Sequence, residues 1–158
     1  MYPNGLKGAA ITDFLAKLKG NAHQKILLPD ELVLTADTIV WHEDAALGKP
    51  KNEFDAIKML TSLSGKTHDV ISSVCLSSVE EQNCIKEITK VTLRELTKEE
   101  IAYYVQTYKP LDKAGAYGIQ EWIGLVGVKR IKGSYTNVVG LPSAKTHQLV
   151  QPYLMHFK

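Results

Sequence analysis

Three short segments of this chain carry side chains whose types and spacing suit chemistry. The first is Thr35-Ala36-Asp37-Thr38, set inside the β-branched, apolar run Val33 to Trp41, which suits a buried strand. An aspartate in such a run needs partners, because burying a lone carboxylate is costly. Two readings are open. Asp37 is a general base or a ligand for a hard divalent cation, or it is a structural residue accepting backbone hydrogen bonds. The second segment is Gly48-Lys49-Pro50-Lys51. Glycine and proline shape a turn there, and its lysines either aim at phosphate oxygens or stand solvated. It is not a Walker A loop, since the preceding glycine spacing and the following Ser or Thr are absent. The third is Asp112 to Gln120, DKAGAYGIQ. Small residues let backbone approach a ligand closely, and Gln120 offers a donor and an acceptor to a base edge. A tight turn with Gln120 on its surface is the plainer reading.

Other chemistries find little support. The histidines (His23, His42, His68, His147 and His156) are scattered, with no HExxH or paired metal spacing, and read as surface or structural residues. Ser64 and Ser134 lack a histidine partner in a nucleophile motif. Cys75, in the apolar run VISSVCL, reads as a small buried hydrophobe. Cys84, in SSVEEQNC, reads as a loop residue, and the two make no disulfide framework. The net charge is +2, with 23% charged and 44% apolar residues. That balance fits a soluble globular protein and argues against a dedicated nucleic-acid binder. There is no apolar run long enough for a membrane span and no signal-peptide core, so a reducing cytoplasm is expected.

The elements that must position these segments can be read from periodicity. The chain has 158 residues, enough for one domain with a real core. A helix is expected over Ala9 to Lys19, ended by Gly20. After the strand at Val33 to Trp41 comes a polar tip, then a helix capped by Asn52 and stopped by Gly65. Asp69 to Ser77 reads as a strand. Ile85, Thr89, Val91 and Leu93 alternate with polar residues, so a second strand should pair with it as a hairpin. Thr97 and Glu100 form a capping box for a helix ended at Pro110. Trp122 to Ile131 reads as a strand, and Pro142 starts a last helix reaching Leu154. Interleaved helices and strands predict an α/β fold with a mixed sheet flanked by helices.

In order, these segments resemble the Maf family of nucleoside triphosphate pyrophosphatases. The matching pieces are LAKLK, LTADTIV, LGKPK, MLTSLSGKTHDV, LDKAGAYGIQ and IKGSYTNVVGLP, spread from Tyr2 to Tyr153. The resemblance implies an elongated α/β structure with a central cleft, as in Maf and ITPase-like proteins. It implies hydrolysis of a nucleoside triphosphate to monophosphate and pyrophosphate, assisted by a divalent cation, Mg or Mn. DKAGAYGIQ is similar to the subgroup acting on dTTP and UTP. By the same resemblance Asp37 is the catalytic acid, acting as general base and metal ligand. Lys49 and Lys19 contact phosphate, and Thr38 and Gln120 occupy positions linked to substrate choice. A homodimer, with no nucleic-acid or membrane partner, is the expected assembly; roles in removing non-standard nucleotides and in septum formation are suggested for the family.

One departure stands out. Family members begin with a strand and a Ser-x-Ser-Pro-Arg-Arg loop, whose arginines grip phosphate in a bidentate way that lysine does not reproduce. No such segment occurs in this sequence. The expectation is therefore a single Maf-like domain over residues 1–158, shortened at its N-terminus, with the first strand missing. Such a chain is a shortened reading of a longer enzyme, a short form completed by a partner, or a noncatalytic nucleotide-binding or assembly protein. A missing strand would leave a sheet edge or apolar face open to dimerisation.

Overall fold

The computed structural model describes residues 2–154. Its helices are α1 (Ala9–Gln24), α2 (Glu53–Leu63), α3 (Lys98–Tyr108), α4 (Trp122–Gly127), α5 (Tyr135–Val139) and α6 (Ser143–Leu154), and its strands are β1 (Val33–His42), β2 (Ala45–Leu47), β3 (Thr67–Ser77), β4 (Gln82–Leu93) and β5 (Val128–Lys132). The strands form one sheet in the order β2-β1-β3-β4-β5. The α/β class with flanking helices is as expected. The strand sense is not: every pairing among the described residues is antiparallel, where a mixed sheet was expected. Each neighbour in this sheet runs back along the previous strand, so no parallel crossover is needed.

Local chemistry explains most of the elements. Asn52 accepts a hydrogen bond from the Asp55 N–H at 2.9 Å and starts α2. Thr97 and Glu100 make the capping box of α3. β3 and β4 form the long hairpin, with Val74 opposite Ile85 and Val70 opposite Thr89.

Four expectations need correction. First, α1 does not stop at Gly20 but runs to Gln24. Gly20 is a close-approach site: a Cβ there would lie 2.8 Å from Ser77 Oγ and 3.4 Å from Thr35 Oγ1. Second, Trp122–Gly127 is helical, and only Val128–Lys132 is strand. The apolar run misleads because Ile123 enters the core with Trp122 packed against it, while Leu125, which a strand would place on the same side as Ile123, stays 80% exposed. Third, the polar tip contains β2, joined to β1 by a two-residue turn at Glu43 and Asp44, both with positive φ. Such turns usually advertise themselves with glycine or asparagine, and here Lys66 holds Glu43 at 2.7 Å instead. Fourth, Cys84 lies on β4 directly opposite Cys75, and the two are joined in a disulfide. Antiparallel pairing brought together two thiols that were expected to be free. The short helix α5 was also not anticipated.

Opposed residues in an antiparallel sheet share a face. On one face Val40, Val70, Val91 and Leu93 meet α2, α3 and the turn at Ala114–Ala116 in the main core. On the other, Ile39 and Ile71 meet Ile11 of α1 in a smaller cluster. β2 pairs only with Val40, Trp41 and His42 of β1. Residues 33–39 of β1 therefore have no strand partner on that side among the described residues.

Candidate functional site

The cleft opens beside this unpaired stretch of β1. Asp37 belongs by register to the α1 face, opposite Ser73, and Thr38 to the α2–α3 face, opposite Ser72. Consecutive strand residues point to opposite faces, yet both reach the same cavity because it wraps the strand edge. The cavity encloses about 430 Å³, within the range of small-molecule sites.

Three sequence segments supply its polar groups. α1 brings Lys19, whose Nζ donates to Asp37 Oδ1 at 2.6 Å and to the Ala36 carbonyl at 2.9 Å. The Asp37 side chain is 17% exposed and that of Lys19 is 51% exposed. Lys19 thus fixes the carboxylate's orientation while its other oxygen makes no hydrogen bond among the described residues. The turn after β2 brings Lys49. The Gly115 N–H donates to the Gly48 carbonyl at 3.1 Å, tying this turn to the DKAGAYGIQ segment. Gly115 has φ +67°, and a Cβ there would lie 2.8 Å from Val40, so the junction requires glycine. The segment itself brings Gln120 to the rim.

The opposite wall is α5 and the residues after it. Asn137 is fully buried and donates through Nδ2 to the Val70 carbonyl at 3.0 Å and to Thr89 Oγ1 at 2.9 Å. This anchorage sets the Gly140 carbonyl where it accepts from Thr38 Oγ1 at 3.2 Å; Thr38 also shares a 2.7 Å hydrogen bond with Ser72. All five residues singled out from the sequence, Lys19, Asp37, Thr38, Lys49 and Gln120, therefore line one cavity.

Sequence reasoning missed Asp112 and Lys113 as side chains on that cavity. Their segment was read for its backbone, and an Asp-Lys pair next to a proline looks like any solvated turn. Behind them, the Tyr104 hydroxyl donates to Glu121 and accepts the Gly118 N–H at 3.0 Å. Burial, together with that bond to Glu121, holds the Tyr104 phenol protonated well above its usual range. Ser64 bonds to the Leu96 backbone and Ser134 caps α5, so neither stands as a nucleophile. Of the histidines, His42 and His68 are buried structural residues, and His156 lies outside the described residues.

The donor set bears on a metal. Among the described residues no cluster of three or more His, Cys, Asp or Glu side chains is arranged to hold an ion. A magnesium-like cation commonly takes one or two carboxylates and completes its shell with water and substrate phosphate. The single carboxylate of Asp37, with one oxygen uncommitted, fits that mode. The cleft's charged lining is three lysines against Asp37 and Asp112, a field suited to a polyanion. Neither of the chain's two arginines, Arg94 and Arg130, lines it.

No helix among the described residues is long and apolar enough to cross a membrane. Comparison with known proteins agrees with the ordered motifs. A dTTP/UTP pyrophosphatase of Flavobacterium johnsoniae is 52% identical over 148 residues, covering 94% of this chain and 76% of that protein. One from Bacteroides fragilis is 55% identical over 147 residues, covering 93% and 76%. One from Christiangramia forsetii is 49% identical over 154 residues, covering 98% and 79%. The family model described as Maf-like protein matches residues 3–153, so the chain belongs to the Maf-like family.

Proposed function

We propose that this protein hydrolyses dTTP and UTP to the nucleoside monophosphate and pyrophosphate, with Asp37 as general base. The observation that carries the reading is the convergence of Asp37 and three lysines on one cavity that Thr38 and Gln120 also line. Relatives at about half identity that bear the name dTTP/UTP pyrophosphatase support the same substrates.

Transfer from a triphosphate depends mainly on positioning and charge stabilisation. Lys49 and Lys19 lie where they can meet phosphate oxygens, and Lys19 also fixes Asp37 for its role. Asp37 orients a water and takes its proton as the water oxygen bonds to the α-phosphorus. The bond from that phosphorus to the α,β-bridging oxygen breaks, and pyrophosphate leaves with the electron pair. No covalent nucleophile is required. A divalent cation held by Asp37 and substrate oxygens would neutralise charge on the phosphate chain. Gln120 presents an amide to the base edge, and Thr38, held by Ser72 and Gly140, shapes the pocket beside it.

The test is pyrophosphate release from dTTP and UTP with magnesium or manganese, comparing the wild-type chain with Asp37→Asn. Loss of a general base lowers turnover by roughly a hundredfold or more, with the circular dichroism of the fold retained. Unchanged turnover removes Asp37 from the mechanism. Nucleotide binding with no pyrophosphate release from a folded wild type would favour a noncatalytic binding protein, a reading that the absence of arginine from the cleft lining keeps in play.

Self-association belongs to the same proposal. Leu18, Ile26, Leu28, Leu32 and Leu34 are exposed on α1 and the approach to β1, next to its unpaired stretch, an apolar surface that supports a homodimer. Sedimentation velocity giving only monomer at high concentration would end that part of the reading.

A further inference from the structure

We infer that Lys113 is a third phosphate-binding lysine, aimed into the cleft by the Tyr104–Glu121 pair and held in the free protein by Asp112. The inference rests on the triphosphate reading above and assigns that site another ligand group.

Lys113 lines the cavity, and its side chain is 29% exposed. An unrestrained lysine on a turn would extend into solvent. This one is bracketed, with Nζ 3.2 Å from Glu121 Oε1 and 3.2 Å from Asp112 Oδ1. The two anchors differ in kind. The Glu121 side chain is 23% exposed and accepts from Tyr104, whose side chain is fully buried in α3. Tyr104 also accepts the Gly118 N–H, so one buried hydroxyl sets both Glu121 and the backbone before Gln120. Glu121 is therefore a fixed support. Asp112 is 75% exposed, and its side-chain bonds among the described residues go to Lys113 alone.

Asp112 sits within the influence of two lysines. The Lys113 ammonium chiefly holds its carboxyl below the usual range, and the charge of Lys49 contributes. Burial works against the Lys113 ammonium, but its bonds to Asp112 and Glu121 outweigh that and raise its pKa. An exposed carboxylate against a braced ammonium, with a second ammonium near, occupies a place that a phosphate oxygen can take. Binding of the phosphate chain displaces Asp112 and leaves Lys113 braced by Glu121. Tyr104 acts only through Glu121 and Gly118 and is a positioning residue.

The experiment is calorimetric titration of the full chain with inorganic tripolyphosphate and, separately, with dTMP. Lys113→Met should weaken tripolyphosphate by about tenfold or more, the scale of one charge-assisted contact. Lys113→Arg should restore most of that affinity, and dTMP should change by less than about twofold. Tyr104→Phe should weaken tripolyphosphate less than Lys113→Met does, and should raise KM for dTTP more than it lowers kcat. Unchanged tripolyphosphate affinity in Lys113→Met overturns the assignment, as does an equal loss for dTMP, which would mark a structural role. Absence of tripolyphosphate binding by the wild type also overturns it. Lys113-dependent binding by a wild type that releases no pyrophosphate from dTTP would sink the pyrophosphatase reading and leave the lysine assignment standing.

Discussion

On the α2–α3 face of the sheet, buried side chains run without interruption from Val40 through Leu60 and Tyr104 to Ile123, whereas under α1 the buried apolar cluster is only Ile11, Ile39 and Ile71. What α1 lacks in apolar area it makes up in hydrogen bonds. Ser73 bonds Thr12 at 2.7 Å and Asp13 at 2.5 Å, and Thr35 donates to the Ala16 carbonyl at 2.8 Å. Apolar burial contributes in proportion to area, while a hydrogen bond exchanges one partner for another and yields less net. The α2–α3 face therefore carries the stability of the fold. The α1 face delivers Lys19 and Asp37 to the cleft on a helix that is held by directional bonds. Placement of the Asp37 carboxylate, the proposed general base, depends on the weaker half of the molecule.

The largest expected effect is on the apolar face. Leu60→Ala removes a fully buried side chain of α2 and should cost about 2–5 kcal/mol in urea denaturation. A smaller loss would mean that this face is not the main support.

Next comes pH. His68 is buried on the same face, bonded through Nε2 to the Tyr117 hydroxyl at 2.8 Å. Burial, with the nearby His42 adding to it, pushes its pKa down to about 4. Below an unfolded value of about 6.5, the unfolded chain takes up a proton that the folded chain refuses. Stability present above pH 6.5 should thus fall by up to about 3 kcal/mol as pH drops toward 4, on the scale of 1.36 kcal/mol per pKa unit. In His68→Gln the decline over this window should flatten, and an equally steep decline would assign it elsewhere.

Ser73→Ala should cost about 1–3 kcal/mol, because it removes two hydrogen bonds under α1, one of them to the Asp13 carboxylate. Hydrogen exchange should then speed in α1 well before α2 or α3, with turnover falling alongside. Uniform acceleration across all helices would dissolve the contrast between the faces.

An effect of comparable size is expected from reduction of Cys75–Cys84. The bridge joins residues nine apart in sequence that already face each other in the β3–β4 ladder. It closes a loop of about ten residues, so reductant should cost at most about 3 kcal/mol, the loop-entropy value for so short a span. A drop several times larger, absent in Cys84→Ser, would make the bridge a principal support of the α1 face.

Much was legible in the residues alone, and the reason is locality. The Asn52 cap and the Thr97–Glu100 box act over three or four residues, so they are visible in a short window. The alternation of β4 and the run of β3 reveal which sides are buried. The site segments were legible as segments, and their order is what marks the family. Errors came where a distant contact overrides a local signal. Gly20 reads as a helix stop until Ser77 and Thr35 are placed against it. The Trp122 run reads as a strand until Ile123 is taken into the core and Leu125 is left in solvent.

The sequence by itself determined most of the longer elements, the caps, the candidate site segments and the family, because each is written in neighbouring residues or in their order. Only the tertiary structure decided that the sheet is antiparallel throughout and that Cys75 meets Cys84. It also decided that Asp37 and Thr38, on opposite faces of β1, share one cavity, and that Lys113 is held at its wall between Asp112 and Glu121. These are contacts across the sheet edge and between separate segments. Such contacts depend on register and packing, for which no short window of sequence carries a signal.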